Sequence, residues 1–131
     1  MATNPQIILI DGPAGSGKTT LSLKLQREFE ANFSCQVIHL DDHYNGWDEA
    51  LGSDLTETLN LVVSNFLSGL PSEIKIFNWH KAKFEGSKLI EPGEVLIIEG
   101  VGAGQSSTRG RATSLYWVET DSDLALKRVL N

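Results

Sequence analysis

Apolar residues along this chain fall into two rhythms. "QIILI" (6–10), "CQVIHL" (35–40), "VLIIEG" (95–100) and "SLYWVE" (114–119) are short, β-branched-rich apolar runs. Each predicts a buried strand. Between the first two runs the period lengthens. Leu21, Leu25 and Phe29 recur every four residues among Lys24, Arg27, Glu28 and Glu30, which predicts an amphipathic helix starting near Lys18. Leu55, Leu59, Val62, Phe66 and Leu70 predict a second helix over 55–70, with Pro71 as its stop. Residues 73–79 alternate like a half-exposed strand, and 87–94 are its expected partner, giving a small hairpin outside the main sheet. The Gly-, Ser- and Arg-rich stretch 101–113 reads as a loop with one short helical turn. "TDSD" at 120–123 then offers an N-cap, and Leu126, Val129 and Leu130 predict a last helical face.

This order predicts an α/β domain built on a mainly parallel sheet of four strands. Ligands of open α/β sheets bind at the C-terminal edge of the strands. The loop at 12–19 belongs at that edge, as do Asp41, Asp42, Glu99 and Glu119. Four acids at the ends of three apolar strands are the second clue to a site.

The chain has 131 residues, enough for one domain, expected to span 1–131. Its formal net charge of −6 argues against a general nucleic-acid or anionic-membrane surface. Cys35 is the only cysteine, which rules out an internal disulfide or a cysteine-based zinc site. "MATNPQ" is not the start of a signal peptide, and no apolar run is long enough to cross a bilayer. The expected location is the cytoplasm.

Gly12, Pro13, Ala14, Gly15, Ser16, Gly17, Lys18 and Thr19 match G-x-x-x-x-G-K-[ST] at every fixed position, with Thr20 following. A strand precedes the motif and a helix follows it, as a phosphate-binding loop requires. Glycines let backbone N–H groups approach phosphate oxygens, and the helix start adds the positive end of its dipole. Lys18 supplies a point charge for the β- and γ-phosphates, and the Thr19 hydroxyl is suited to Mg²⁺. Glu99, at the end of a fully apolar strand, stands where such proteins place the acid on the Mg²⁺ side; a solvated strand-end carboxylate is the alternative. Asp41 and Asp42 follow the strand expected next but one to the loop strand. A carboxylate there could take the proton of an attacking hydroxyl; a helix cap or a solvated turn is the alternative. The histidines His39, His43 and His80 invite a metal reading, but a strand end lies between His39 and His43, so their spacing of four does not give helical ligand geometry. Tyr44, Trp47, Phe77 and Trp79 could wall a pocket for a flat base or simply pack in the core. Arg109 and Arg111 could clamp phosphate or stay solvated.

With the phosphate loop, "HLDDHYNGW", "FNWHKAKF" and "IIEGVGAG" in this order, the chain resembles the uridine kinase-like branch of P-loop kinases. The resemblance covers nearly the whole chain, and "GPAGSGKTT" alone also looks like cytidylate kinase. It implies a three-layer P-loop NTPase fold, ATP and Mg²⁺ as cofactors, and transfer of the γ-phosphate to a hydroxyl of a nucleoside-like acceptor. It implies that Asp41 receives the acceptor proton, with Tyr44 near the nucleoside. Glu99 falls on the Mg²⁺ side beside Thr19. Phe77, Asn78 and Trp79 fall on a Tyr-Asp-Phe-like segment of the base pocket, with Phe for Tyr and Asn for Asp. Arg128 falls on an arginine that reaches substrate or phosphate from the helix after strand four. The family continues into an arginine-bearing lid and a fifth strand, so a C-terminally incomplete domain is expected. The implied partners are the nucleotide and a small-molecule substrate, without nucleic acid or membrane, and with a homodimer left open. Two rivals differ in class: a nucleotide-binding module with little or no catalysis, and a nucleoside monophosphate (cytidylate-like) kinase. A GTPase-like switch would carry an Asn-Lys-x-Asp segment, and none is present.

Overall fold

The computed structural model describes residues 5–12, 17–40, 43, 53–78, 81, 83–101, 103–104, 106–118 and 126–130. Strand β1 (Gln6–Asp11) leads to helix α1 (Lys18–Glu30) and strand β2 (Cys35–His39). Helix α2 (Ser53–Leu67), strands β3 (Ser72–Asn78) and β4 (Lys83–Ile90), and strand β5 (Val95–Glu99) follow. The short helix α3 (Ser106–Arg109) and strands β6 (Ser114–Val118) and β7 (Leu126–Leu130) complete the described chain.

The main sheet runs β2-β5-β1-β6-β7. β2, β5, β1 and β6 are parallel to their neighbours, and β7 joins β6 antiparallel. β2 is therefore next but one to β1, as the sequence led us to expect. The apolar runs are apolar throughout because both faces of the sheet are covered, and side chains alternate between those faces. Ile8, Ile10, Val37, Val95 and Ile97 form one core layer, against which Leu21, Leu25 and Phe29 of α1 pack. Ile7, Leu9, Ile38, Leu96 and Ile98 point the other way and join Leu59, Val62, Val63 and Phe66 of α2. The result is helix, sheet, helix.

The hairpin outside the main sheet is present as β3 paired antiparallel with β4. Its second strand covers Lys83–Ile90 rather than 87–94, so Phe84 sits opposite Phe77. Ile74 and Ile90 anchor the hairpin in the α2-side core. On β4, the Lys88 Nζ donates to the Val37 carbonyl of β2 at 2.5 Å.

Two sequence expectations are corrected. Helix α2 ends at Leu67, and Leu70 lies beyond it, more than half exposed. The stop is Gly69 (φ 76°), not Pro71. Gly69 N–H donates to Phe66 O at 3.2 Å and Leu70 N–H to Asn65 O at 2.8 Å, the paired bonds of a Schellman cap. Residues 126–130 form strand β7 rather than a helix, which makes the main sheet five-stranded. Five residues are too few to sustain an isolated helix, whereas the open side of β6 supplies ladder hydrogen bonds at once. No helix among the described residues is long and apolar enough to cross a membrane.

Candidate nucleotide-binding site

The C-terminal ends of β1, β2 and β5 meet the N-terminus of α1. Gly17 is the N-cap of α1 in a left-handed conformation, and its carbonyl accepts the Leu21 N–H at 3.1 Å. The first amides of a helix have no intrahelical acceptor, and they carry the positive end of the dipole. Lys18, the first helical residue, is only 7% exposed.

Thr19 Oγ1 donates to Glu99 Oε2 at 3.1 Å. This bond joins residues 80 positions apart, the start of α1 and the end of β5. Glu99 is 4% exposed. The pair offers a hydroxyl and a carboxylate, both hard oxygen donors, which is the chemistry Mg²⁺ prefers. A third group meets the same oxygen: His39 Nδ1 lies 2.5 Å from Glu99 Oε2. An ionised carboxylate oxygen can only accept, so Nδ1 carries the proton of this bond.

Asp11 ends β1 and faces the other side. Its Oδ1 accepts the Gly12 N–H at 2.7 Å and its Oδ2 accepts the Gly104 N–H at 2.9 Å. The carboxylate thus ties the first residue of the phosphate loop to the loop that follows β5. Arg109 Nε donates to the Gly104 carbonyl at 3.0 Å, which steadies the same loop. Downstream of β2, His43 is buried and its Nδ1 donates to the Lys75 carbonyl on β3 at 2.5 Å. This bond fastens His43 to the hairpin.

Of the residues singled out from sequence, the structure brings Gly12, Gly17, Lys18, Thr19, Thr20 and Glu99 to one edge. Pro13, Ala14, Gly15, Ser16, Asp41, Tyr44 and Trp79 lie outside the described residues, as do Asp42, Trp47, His80 and Glu119. Phe77 is buried in the hairpin and meets Phe84 edge-on, with ring centroids 5.3 Å apart. Asn78 is engaged within the hairpin: its Nδ2 donates to Glu85 Oε1 at 2.9 Å, and its Oδ1 accepts the Lys81 N–H at 3.1 Å. Arg128 is on β7 opposite Tyr116, on a strand and not the expected helix. Arg111 is half-buried. Its guanidinium holds α2, donating to Ser64 Oγ at 2.5 Å and to Asn60 Oδ1 at 2.9 Å. Sequence reasoning missed Asp11 as a bridge and weighed His39 only as a metal ligand. Strand-end position was the available signal for both.

Fold and site together define a P-loop α/β domain. A family model described as an AAA domain matches residues 8–131, and the chain belongs to that family. Among curated proteins, the chain is 28% identical to a uridine kinase of Clostridium tetani, across 99% of this chain and 68% of that protein. It is 26% identical to a uridine kinase of Bacillus subtilis, across 98% of this chain and 67% of that protein. The chain thus spans about two thirds of the length of these relatives. Among solved structures, a possible uridine kinase from Bacillus stearothermophilus aligns with a TM-score of 0.72 at 20% identity, covering 89% of this chain and 72% of that one. That likeness concerns the fold. The curated relatives agree with the resemblance carried by "HLDDHYNGW", "FNWHKAKF" and "IIEGVGAG".

Proposed function

We infer that this domain is an ATP- and Mg²⁺-dependent kinase that moves the γ-phosphoryl group to a hydroxyl of a nucleoside-like acceptor. The observation that carries this reading is the convergence of the buried Lys18 and Glu99 with the exposed Thr19 at the strand ends. They belong to a chain whose curated relatives are named uridine kinases. The loop from Gly12 to Thr20 cradles the phosphates, and Lys18 places its charge against the β- and γ-oxygens. Thr19 and Glu99 would hold Mg²⁺, which neutralises phosphate charge when bound. Asp41 orients the acceptor hydroxyl and takes its proton as the new O–P bond forms and ADP leaves. Tyr44, Phe77 and Trp79 contact the acceptor, and Arg128 reaches substrate or phosphate. Little covalent work falls to the protein; alignment and electrostatics do most of it.

The test is a transfer assay with ATP against nucleosides, nucleoside monophosphates and other small alcohols, paired with calorimetric ATP binding. Lys18→Ala should weaken ATP binding by about tenfold or more, the scale of a lost charge-assisted contact. Asp41→Asn should spare ATP binding and slow transfer by about 10²–10⁴-fold, the span of general-base catalysis. Unchanged ATP affinity in Lys18→Ala would refute the cradle, and full transfer in Asp41→Asn would remove Asp41 as the base. ATP binding without transfer to any hydroxyl would leave a nucleotide-binding module.

A further inference from the structure

β2 and β5 are parallel neighbours, and His39 and Glu99 stand on the same rung. Two residues earlier on each strand, Val37 and Ile97 pack in the layer under α1. The two-residue period puts His39 and Glu99 on that same face, where Thr19 arrives from the first turn of the helix. Groups from three elements therefore meet at one atom, Glu99 Oε2. The two bonds differ in kind. Thr19 is itself a candidate for Mg²⁺, so its hydroxyl is not reserved for Glu99. His39 approaches from the β2 side, with its side chain 31% exposed, and the bond to Glu99 is the shorter of the two. A nearly buried carboxylate needs donors to stay in one orientation, and metal-holding carboxylates are commonly fixed by such hydrogen bonds.

We propose that His39 is a positioning residue for Glu99, its Nδ1–H locking the carboxylate in the orientation that holds Mg²⁺ beside the nucleotide. This rests on the reading of Thr19 and Glu99 given above. The imidazole does not touch the phosphates; it acts through the carboxylate. Its loss should therefore weaken the Mg²⁺-dependent part of ATP binding and leave Mg²⁺-free binding in place.

The experiment is isothermal titration of the full chain with ATP in Mg²⁺ and with ATP in EDTA. The proteins are wild type, His39→Ala, His39→Asn and His39→Gln, with circular dichroism to check folding. His39→Ala should lose about tenfold or more in affinity for ATP with Mg²⁺, the usual cost of removing a partner of a metal-holding group. Its affinity in EDTA should stay within about twofold of wild type. The Asn amide can place an N–H where Nδ1 stood, whereas the Gln amide reaches one carbon farther. His39→Asn should therefore recover most of the loss and His39→Gln should not. Unchanged affinity in Mg²⁺, or equal losses with and without Mg²⁺, would overturn the inference. If His39→Ala fails to fold, the Asn and Gln variants decide: tighter Mg²⁺-ATP binding by Asn supports the inference, and equal binding overturns it. A wild-type chain that binds ATP no better with Mg²⁺ than in EDTA would instead defeat the parent reading of Thr19 and Glu99.

Discussion

Gly100, immediately after Glu99, is the position where one added methyl group should cost most. Its φ is 144°, a region that residues with a Cβ rarely enter, and its N–H donates to the Ile10 carbonyl at 3.0 Å. A Cβ built there would lie 2.6 Å from Leu40 Cβ, 3.1 Å from Cγ and 3.2 Å from Cδ1. Leu40 is fully buried in the α2-side core and has no room to withdraw. Gly100→Ala therefore meets two penalties. Holding alanine at this φ costs about 1–3 kcal/mol. Overpacking against Leu40 adds about 1–3 kcal/mol. Their sum is about 2–6 kcal/mol. A chain of 131 residues has an unfolding entropy near 0.28 kcal/mol/K, on the order of 2.1 cal/mol/K per residue. The melting temperature should then fall by about 7–21 °C. Thermal unfolding followed by circular dichroism measures this, and urea titration should show a lower midpoint at unchanged slope. Gly110→Ala is the control, because a Cβ there meets nothing within 4 Å. It should stay within about 0.5 kcal/mol of wild type. A Gly100→Ala protein as stable as the Gly110→Ala control would refute the steric argument.

Arg111→Ala should lower stability by about 1 kcal/mol through its lost bonds to Ser64 and Asn60, and leave ATP affinity unchanged. A tenfold loss of ATP affinity would return Arg111 to a phosphate role. The Cys35 thiol is pushed up from 9.0 to about 11, first by burial and then by the nearby Glu30 carboxylate. At pH 8 its thiolate should be about 100-fold scarcer folded than unfolded, so iodoacetamide should modify it about 100-fold more slowly without urea than with it. The folded state favours the protonated thiol. Its stabilising contribution is therefore complete below pH 9.0 and lost as pH rises toward about 11, which urea titrations across that range would detect.

How much of this was legible in the sequence depended on how local each cause is. The phosphate loop is contiguous, so its residues announce themselves in order. Helices α1 and α2 show their buried faces because one element's period is visible within a single window. The hairpin is visible for the same reason: β3 alternates between core and solvent. The end of α2 was misplaced because Pro71 is a conspicuous stop, while Gly69 had already closed the helix through backbone bonds. β7 was misassigned because its fate is decided by β6, the neighbour it pairs with, and not by its own five residues. The site divides in the same way. Glu99 could be found from the end of its strand. The partnership of His39 with Glu99 could not, since it depends on which strands are adjacent and in what register, across 60 residues of chain. Arg111 shows the converse. Its loop composition suggested solvent or phosphate, but its partners sit 47 and 51 residues earlier on α2.

The Lys88 contact bears on how this protein behaves in company. Among the described strands β2 has a neighbour on one side only, so its other flank presents backbone groups to the surroundings. Such a flank is a template on which extended segments of other molecules can build, the first step toward intermolecular β aggregates. Lys88 occupies the Val37 carbonyl in the middle of that flank and sets a positive charge there. An incoming segment would have to displace an ammonium group from its acceptor and then bury the charge. The hairpin that holds His43 thus also guards the sheet against self-association at high concentration.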